Sequence, residues 1–168
     1  MVLSAELQEQ VSRDPSLVLG AQDLQQLDAK FRAIDVDDDG EITRDELRES
    51  LGDKQAAPFV TESRVDAFLR DVDLDGDGCL TFEELASATA VRRVESLLGK
   101  IENEIAILAP NSDISEGAIP DEVVEPLLEN IGLWDADSRA LALAKLERGD
   151  DGRVYPEQLC LAFFAAKK

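Results

Sequence analysis

Two twelve-residue stretches, 35–46 and 73–84, place acidic side chains at the same offsets, 38 residues apart. Counted from the start of each stretch, aspartate stands at positions 1, 3 and 5, glycine at 6 and glutamate at 12. Alternate carboxylates around a tight turn converge on one point, glycine permits a positive φ, and glutamate can close the shell with both oxygens. A flexible shell of about 6–8 oxygens suits Ca²⁺ better than the smaller Mg²⁺. The spacing therefore predicts two calcium sites.

This pattern resembles the calcium loop of the EF-hand superfamily, in the four-hand form of calmodulin, troponin C and the light chains. The resemblance implies that position 7 coordinates through its backbone carbonyl, so no thiolate role is expected for Cys79. It also implies that Thr43 and Thr81, at position 9, act through water. Helix capping or solvated turns would explain single aspartates, but not six at fixed offsets. The implied ligands are Asp35, Asp37, Asp39, Glu41 and Glu46, and Asp73, Asp75, Asp77, Cys79 and Glu84.

Glycines at the loop spacing recur beyond the two acidic stretches, at 117 and 152. An apolar residue follows each of the four glycines by two positions, where EF-hands form the β-bridge between paired loops; these are Ile42, Leu80, Ile119 and Val154. Similar repeats, nine or ten residues before each glycine, assign Ile107 and Leu143 to the core. The repeat predicts an all-α fold of two EF-hand pairs, or lobes, with short β-bridges. We expect an N-terminal extension (1–20), a first pair (21–90) and a degenerate second pair (91–168).

The ligand chemistry is not repeated in the second pair. With Gly117 at position 6, positions 1, 3, 5 and 12 are Ser112, Ile114, Glu116 and Val123. With Gly152 at position 6, they are Glu147, Gly149, Asp151 and Gln158. Apolar residues offer no oxygen, so calcium binding is not expected at the third loop. At the fourth, a weak or shifted site using Glu147, Asp151 and Glu157 is an alternative to an exposed turn. Two calcium ions per chain are predicted.

The apolar spacing places helices on both sides of each loop. The helix that leads into the second acidic loop is expected to have Thr61 as its N-cap. Residues 82–108 are expected to form either one helix or two helices bent near 88–91. In the extension, Leu3, Leu7 and Val11 predict a short helix that either covers a lobe's groove or frays. The predicted helices are 21–34, 43–51, 61–72, 82–108, 121–130, Asp137 or Ser138 to Glu147, and 156–166.

The composition of the chain excludes several classes of partner and of active site. The net charge of −20 argues against nucleic acid and anionic membranes as partners, and favours a basic or amphipathic helix of a target protein. The chain has no histidine, which removes histidine-based zinc sites and serine–histidine or cysteine–histidine catalysis. No other catalytic constellation is visible, so an enzyme is not expected. Because no apolar run approaches the roughly 20 residues of a membrane span, direct membrane insertion is not expected.

Three roles fit a protein with two calcium loops: a sensor that switches a target through its first lobe, a calcium buffer, or a light-chain-like structural subunit. A pure buffer gains little from two further hands without ligands, which favours the sensor. The single methionine indicates a few dedicated partners rather than many. Trp134 is expected to pack locally, with a partner contact as the alternative. Two isolated cysteines indicate reduced thiols and a cytoplasmic location, with cytoskeletal association through a partner also open. The sequence leaves the oligomeric state undetermined.

Overall fold

The computed structural model describes residues 3–51, 58–110, 117–133 and 135–167, without the side chains of residues 58–61. The predicted all-α fold is confirmed, with one small two-stranded sheet of β1 (Glu41–Ile42) and β2 (Leu80–Thr81). The helices are α1 (Ala5–Arg13), α2 (Ala21–Ile34), α3 (Arg44–Leu51), α4 (Pro58–Val72), α5 (Phe82–Leu108), α6 (Asp121–Asn130), α7 (Ala136–Lys145) and α8 (Pro156–Lys167). No helix in these described ranges is long and apolar enough to cross a membrane.

The chain divides into two compact units. The first unit comprises Ala21–Thr89, and the second combines the N-terminal residues up to Gly20 with the chain from Ala90 onward. The boundary falls within α5, which is continuous from Phe82 to Leu108, so the single-helix alternative is the correct one.

In the first unit, α2 and α3 flank one acidic loop, and α4 and α5 flank the other. The strands β1 and β2 pair antiparallel, with Ile42 opposite Leu80, as the repeat predicts. Phe31 meets Phe82 edge to face at 5.9 Å between ring centroids. Burying each large apolar side chain contributes about 1.5–3 kcal/mol, so this cluster fixes the loops relative to each other. The buried residues of the cluster are Phe31, Ile42, Leu47, Val65, Leu69, Val72 and Leu80.

Five helix boundaries differ from the sequence prediction, including the end of α8 at Lys167 rather than at residue 166. Helix α4 begins at Pro58, which suits a first turn because the N–H it lacks has no helical partner there, so Thr61 lies inside the helix. Helix α3 begins one residue after Thr43. Helix α7 begins at Ala136 rather than at Asp137 or Ser138, because the Asp135 carboxylate accepts the Ser138 N–H at 2.7 Å. It ends at Lys145 rather than at Glu147, since Leu146 is extended.

The apolar repeat overstates the core of the second unit at two positions. Ile107 is 68% exposed because it follows the buried Ile105 by two residues, about 200° around the helix. Leu143 is 39% exposed, while Ala142 beside it is fully buried. The buried face of α5 in this unit consists of Ala90, Val94, Leu97, Leu98, Ile101 and Ile105.

The second unit repeats the β-bridge and the glycine conformations of the first. Ile119 and Val154 form an isolated antiparallel bridge, with the Ile119 N–H donating to the Val154 carbonyl at 2.7 Å. Gly117 and Gly152 have φ of +74° and +79°, in the left-handed region also used by the loop glycines of the first unit. The predicted bridge of the second pair is therefore present. Ser112, Ile114, Glu116 and Trp134 lie outside the described residues.

The N-terminal extension packs into the second unit. Leu3, Leu7 and Val11 are buried at 8%, 5% and 0% exposure, as the predicted short helix requires. A 3-10 turn at Pro15–Leu17 then leads to Val18 and Leu19, which are also buried. Of the two sequence-based alternatives, the docked segment is the one that the structure shows.

Candidate metal centre

Backbone N–H groups of the first acidic loop hold its aspartate side chains in place. Asp35, which is 5% exposed, accepts hydrogen bonds from the N–H groups of Asp39 at 3.2 Å and Gly40 at 3.1 Å. The Asp39 carboxylate accepts the Glu41 N–H at 2.9 Å. Carboxylate oxygens of Asp35, Asp37 and Asp39 lie within 4.8 Å of one another. Three of the predicted ligands are therefore brought together by the turn.

Glu46, the predicted closing ligand, lies outside this grouping. One of its oxygens accepts the Val36 N–H at 2.7 Å, and the other accepts the Thr43 N–H at 2.8 Å and the Thr43 hydroxyl at 2.7 Å. These bonds to Thr43 and Val36 lower the pKa of Glu46 to about 2. Partial desolvation, followed by the charges of Asp39 and Glu46, raises the pKa of Asp37. The loop thus holds several negative charges close together.

The second loop uses the same backbone contacts. Asp73 accepts from the N–H groups of Gly76 at 2.7 Å and Gly78 at 3.0 Å. Here the closing glutamate joins the group, since oxygens of Asp73, Asp75 and Glu84 lie within 4.8 Å of one another. Asp77 lies outside this grouping, and its carboxylate accepts the Cys79 N–H at 2.8 Å. Each loop therefore assembles three carboxylates, and the closing glutamate is a member of the group only in the second loop.

Glu84 is buried at 8% exposure and is fully bonded within the loop. It accepts the Leu74 N–H, the Thr81 N–H and the Thr81 hydroxyl, each at 2.9 Å. Burial raises its pKa, but the hydrogen bonds from Thr81 and Leu74 outweigh this effect, and the pKa lies below its usual value. The carboxylate is therefore kept ionised despite its burial, as a metal ligand must be.

Cys79, at position 7 of the second loop, has the properties of an ordinary protonated thiol. Cys79 is a half-buried free thiol. Burial, followed by the charges of Asp77 and Glu41, raises the pKa of this thiol, so it stays protonated at neutral pH. That Cys79 offers its carbonyl rather than its sulfur stays a prediction from the resemblance.

Sequence reasoning missed the direct role of the two threonines at position 9. Thr43 and Thr81 donate both their N–H and their hydroxyl to the glutamate three residues later, whereas the EF-hand resemblance assigned them to water-mediated coordination. The signal was present, because threonine followed by glutamate at the third position is the capping-box pattern of a helix start. The same residues thus begin α3 and α5 and orient the closing glutamates.

The donor set fits a hard divalent cation, because every assembled group is a carboxylate oxygen. The first loop would hold it with Asp35, Asp37, Asp39, the Glu41 carbonyl and Glu46. The second would use Asp73, Asp75, Asp77, the Cys79 carbonyl and Glu84. The cation would supply the positive charge that offsets repulsion among these carboxylates.

The fourth loop directs its acids to protein donors instead. Asp151 accepts the Tyr155 hydroxyl at 2.6 Å and the Arg153 N–H at 3.0 Å. Arg148 donates from one nitrogen to Asp121 and to the Gly152 carbonyl, both at 2.9 Å. A guanidinium therefore contributes positive charge to this loop.

Two further residues of the fourth loop accept hydrogen bonds from groups of the protein. Gln158, at position 12, accepts the Tyr155 N–H at 3.0 Å, which is the contact that Glu46 makes with Thr43. Glu157 accepts hydrogen bonds from Ser4. The β-bridge and the position 12 contact of the first unit recur in this loop, while two of the three acids suggested for a weak site, Asp151 and Glu157, are bonded to side chains of the protein. The weak or shifted calcium site at the fourth loop stays an untested alternative.

Comparison with protein families identifies the region that holds both acidic loops. Residues 24–90 match a family model described as an EF-hand domain pair. This range contains both loops, β1, β2, α3 and α4, together with most of α2 and the start of α5. A search of curated proteins finds no significant match to the chain.

Proposed function

Because residues 24–90 form an EF-hand domain pair, we propose that the protein binds two calcium ions there and regulates a target protein in response to calcium. The observation that carries this proposal is the pairing of two carboxylate clusters through β1 and β2 on one shared apolar core. The pairing places both charged loops where a change in one alters the other.

A physical basis for switching lies in the position of Glu46. It belongs to the first turn of α3, and it lies outside the group formed by Asp35, Asp37 and Asp39. We infer that a bound cation draws this carboxylate, and with it α3, toward the aspartates. In sensor EF-hands, such movement opens the helix pair and exposes apolar surface. We infer that the first unit acts as the calcium-responsive part.

The target is proposed to be a basic or amphipathic helix of another protein. The chain's net charge of −20 favours basic partners and disfavours nucleic acid. The one methionine indicates a groove built for few targets. Both cysteines are free thiols, which supports a reducing, cytoplasmic setting as part of the proposal.

Calorimetric titration of the full chain with calcium, in excess magnesium, tests the metal sites. We expect two ions per chain, with dissociation constants of about 10⁻⁷ to 10⁻⁵ M. The Glu46→Gln/Glu84→Gln variant should bind none, because each loop loses its closing carboxylate. The control Glu49→Gln/Glu83→Gln removes the same charge at exposed neighbouring positions and should bind two. Four bound ions, or two in the first variant, would contradict the assignment.

A hydrophobic dye distinguishes sensor from buffer in the same samples. A sensor should gain dye binding when calcium is added, and much less with magnesium alone. If calcium makes the chain more compact without exposing apolar surface, the buffer reading is correct. If neither dye binding nor compactness changes although two ions bind, a constitutive light-chain-like role is favoured.

A further inference from the structure

The side chain of Tyr155 crosses the fourth loop, residues 147–158, from position 9 to position 5. Its hydroxyl donates to Oδ2 of Asp151 at 2.6 Å. The other oxygen of Asp151 accepts the Arg153 N–H at 3.0 Å, which repeats the contact between positions 7 and 5 in both acidic loops. The fourth loop thus differs from those loops by a phenol bound to the second oxygen of this aspartate.

The glycine at position 3 gives the tyrosine ring its space. The φ of Gly149 lies outside the left-handed region, so the backbone itself does not require glycine here. A Cβ atom at this position would lie 2.9 Å from Cε2 of Tyr155 and 3.0 Å from Oδ1 of Asp151, well inside the usual contact distance of about 3.5–4.0 Å. Positions 3 and 9 are therefore matched: glycine accompanies tyrosine in this loop, and aspartate accompanies threonine in both acidic loops.

The backbone of the fourth loop is also bonded to itself at positions that serve a metal ion elsewhere. In both acidic loops, the N–H of the position 6 glycine donates to the position 1 aspartate. Here the Gly152 N–H donates to the Gly149 carbonyl at 2.8 Å, and Glu147, at position 1, is exposed. The Arg153 carbonyl, at the position whose carbonyl is a ligand in an EF-hand, accepts the Gly149 N–H at 2.9 Å.

The charge of the fourth loop leaves less repulsion for a cation to offset. Residues 147–158 contain four acids and two arginines, a net charge of −2. Residues 35–46 contain seven acids and one arginine, a net of −6, and residues 73–84 contain five acids and no base, a net of −5. Like charges close together repel one another, so the loop with the smallest net charge has the least need of a metal ion.

We propose that Tyr155 takes the place of a metal ion in the fourth loop, and that the matched pair of Gly149 and Tyr155 keeps calcium out of it. In an EF-hand loop, positions 3, 5 and 9 all face the same ion. A side chain that starts at position 9, passes over position 3 and ends on position 5 lies where that ion would lie. The inference concerns the fourth loop alone and does not depend on how many ions the first unit binds.

The test restores the missing ligands with and without the tyrosine. The starting variant of the full chain, Glu147→Asp/Gln158→Glu, has carboxylates at positions 1, 5 and 12 and keeps Gly149 and Tyr155. Calorimetric titration with calcium up to about 1 mM, the weak end of the EF-hand range, should count no more ions in it than in the wild type. Adding Tyr155→Thr, the residue of both acidic loops at this position, should produce one further ion per chain.

A double-mutant cycle on the same starting variant tests whether positions 3 and 9 act together. Gly149→Asp adds a fourth carboxylate, so it should strengthen binding of the further ion at least tenfold when residue 155 is threonine. It should have no such effect when Tyr155 is kept, because the ring and the hydroxyl still occupy the loop. Two residues that share one space are expected to be non-additive in this way.

Two results would overturn the proposal. One is a further ion bound equally well with tyrosine or threonine at position 155, which would show that the ring does not exclude calcium. The other is the absence of a further ion from all four variants, which would show that something other than Gly149 and Tyr155 closes the loop.

A second measurement covers the case in which the restored variants do not fold. It compares the wild type with Asp151→Asn, which removes the charge of the one acid that Tyr155 contacts. Both proteins should bind the same number of calcium ions, since Asp151 serves the phenol and not a cation. An ion that the wild type binds and Asp151→Asn does not would place calcium in the fourth loop and would overturn the proposal.

Discussion

The acidic loops of the first unit differ from the fourth loop by single residues at a few positions. Position 2 is Val36 or Leu74 in the former, both exposed, and Arg148 in the latter. Position 12 changes from glutamate to Gln158, which keeps the hydrogen bond to position 9 but carries no charge. The hydrogen-bonding framework of the loop therefore survives without the carboxylate cluster, and Arg148 adds a positive charge that is bonded to Asp121 and the Gly152 carbonyl. In the same loop, the Asp151 carboxylate accepts a hydrogen bond from the Tyr155 hydroxyl.

Tyr155 provides a direct measurement of that bond, because it is the only tyrosine in the chain. Its hydrogen bond to Asp151, and then desolvation, raise its pKa above the ordinary value of 10.0. The stability that this bond contributes is present below pH 10 and is lost as the pH rises through the folded-state pKa. An ultraviolet titration of the phenolate should show the raised midpoint. Asp151→Ala should lower the midpoint toward 10, while Asp150→Ala, at an exposed neighbour, should not. An unchanged midpoint in Asp151→Ala would exclude the bond.

Among the elements, the strands β1 and β2 link the two metal loops through the pairing of Ile42 with Leu80. Ordering one loop fixes its strand, so the other loop needs less ordering when it binds. The coupling is therefore predicted to be positive, within the usual range of about 5–150-fold.

We expect Glu46→Gln to weaken calcium binding at the second loop by about tenfold, although Glu84 is intact. Glu49→Gln, an equal charge change outside the loop, should leave both sites as they are. Calorimetry of the single variant gives the remaining affinity directly. Unchanged affinity at the second loop would show that the strands do not transmit binding.

The sequence predicts the elements well where the signal is local. Apolar spacing and loop glycines locate the helices, and the residue two places after each glycine predicts both β-bridges. The repeat fails at Ile107, because a fixed offset from a glycine ignores the rotation of α5 against its neighbours. The contact of Ser4 with Glu157 could not be predicted, since it joins residues 153 positions apart and neither belongs to a motif.

At the scale of the whole molecule, the two units are predicted to respond differently to calcium. The first unit contains the carboxylate clusters, whereas the described loop of the second unit is bonded to Arg148, Tyr155 and backbone groups. A ligand that binds only the folded first unit stabilises that unit by mass action. The second unit has no corresponding source of stabilisation among its described residues.

Hydrogen exchange followed by mass spectrometry should separate these responses in the intact chain. At calcium concentrations 100 times the dissociation constant, amides around Ile42 and Leu80 should exchange up to about 100-fold more slowly, corresponding to about 2.7 kcal/mol. Amides in α6, α7 and α8 should show no change. The Glu46→Gln/Glu84→Gln variant should show no calcium effect in either unit. Protection of α7 and α8 by calcium would mean that the fourth loop binds metal after all.

The docking of α1 also bears on the order in which the chain folds. Residues 3–20 are synthesised before the rest of the described chain, and their partner Glu157 follows 153 residues after Ser4. The EF-hand pair lies between them in sequence, and it has all of its own core residues by about residue 90. During synthesis, the pair can therefore fold while the N-terminal segment is still without its binding surface. Residues 3–20 thus leave the ribosome well before they can reach their native contacts, and until then their leucines and valines are accessible to chaperones.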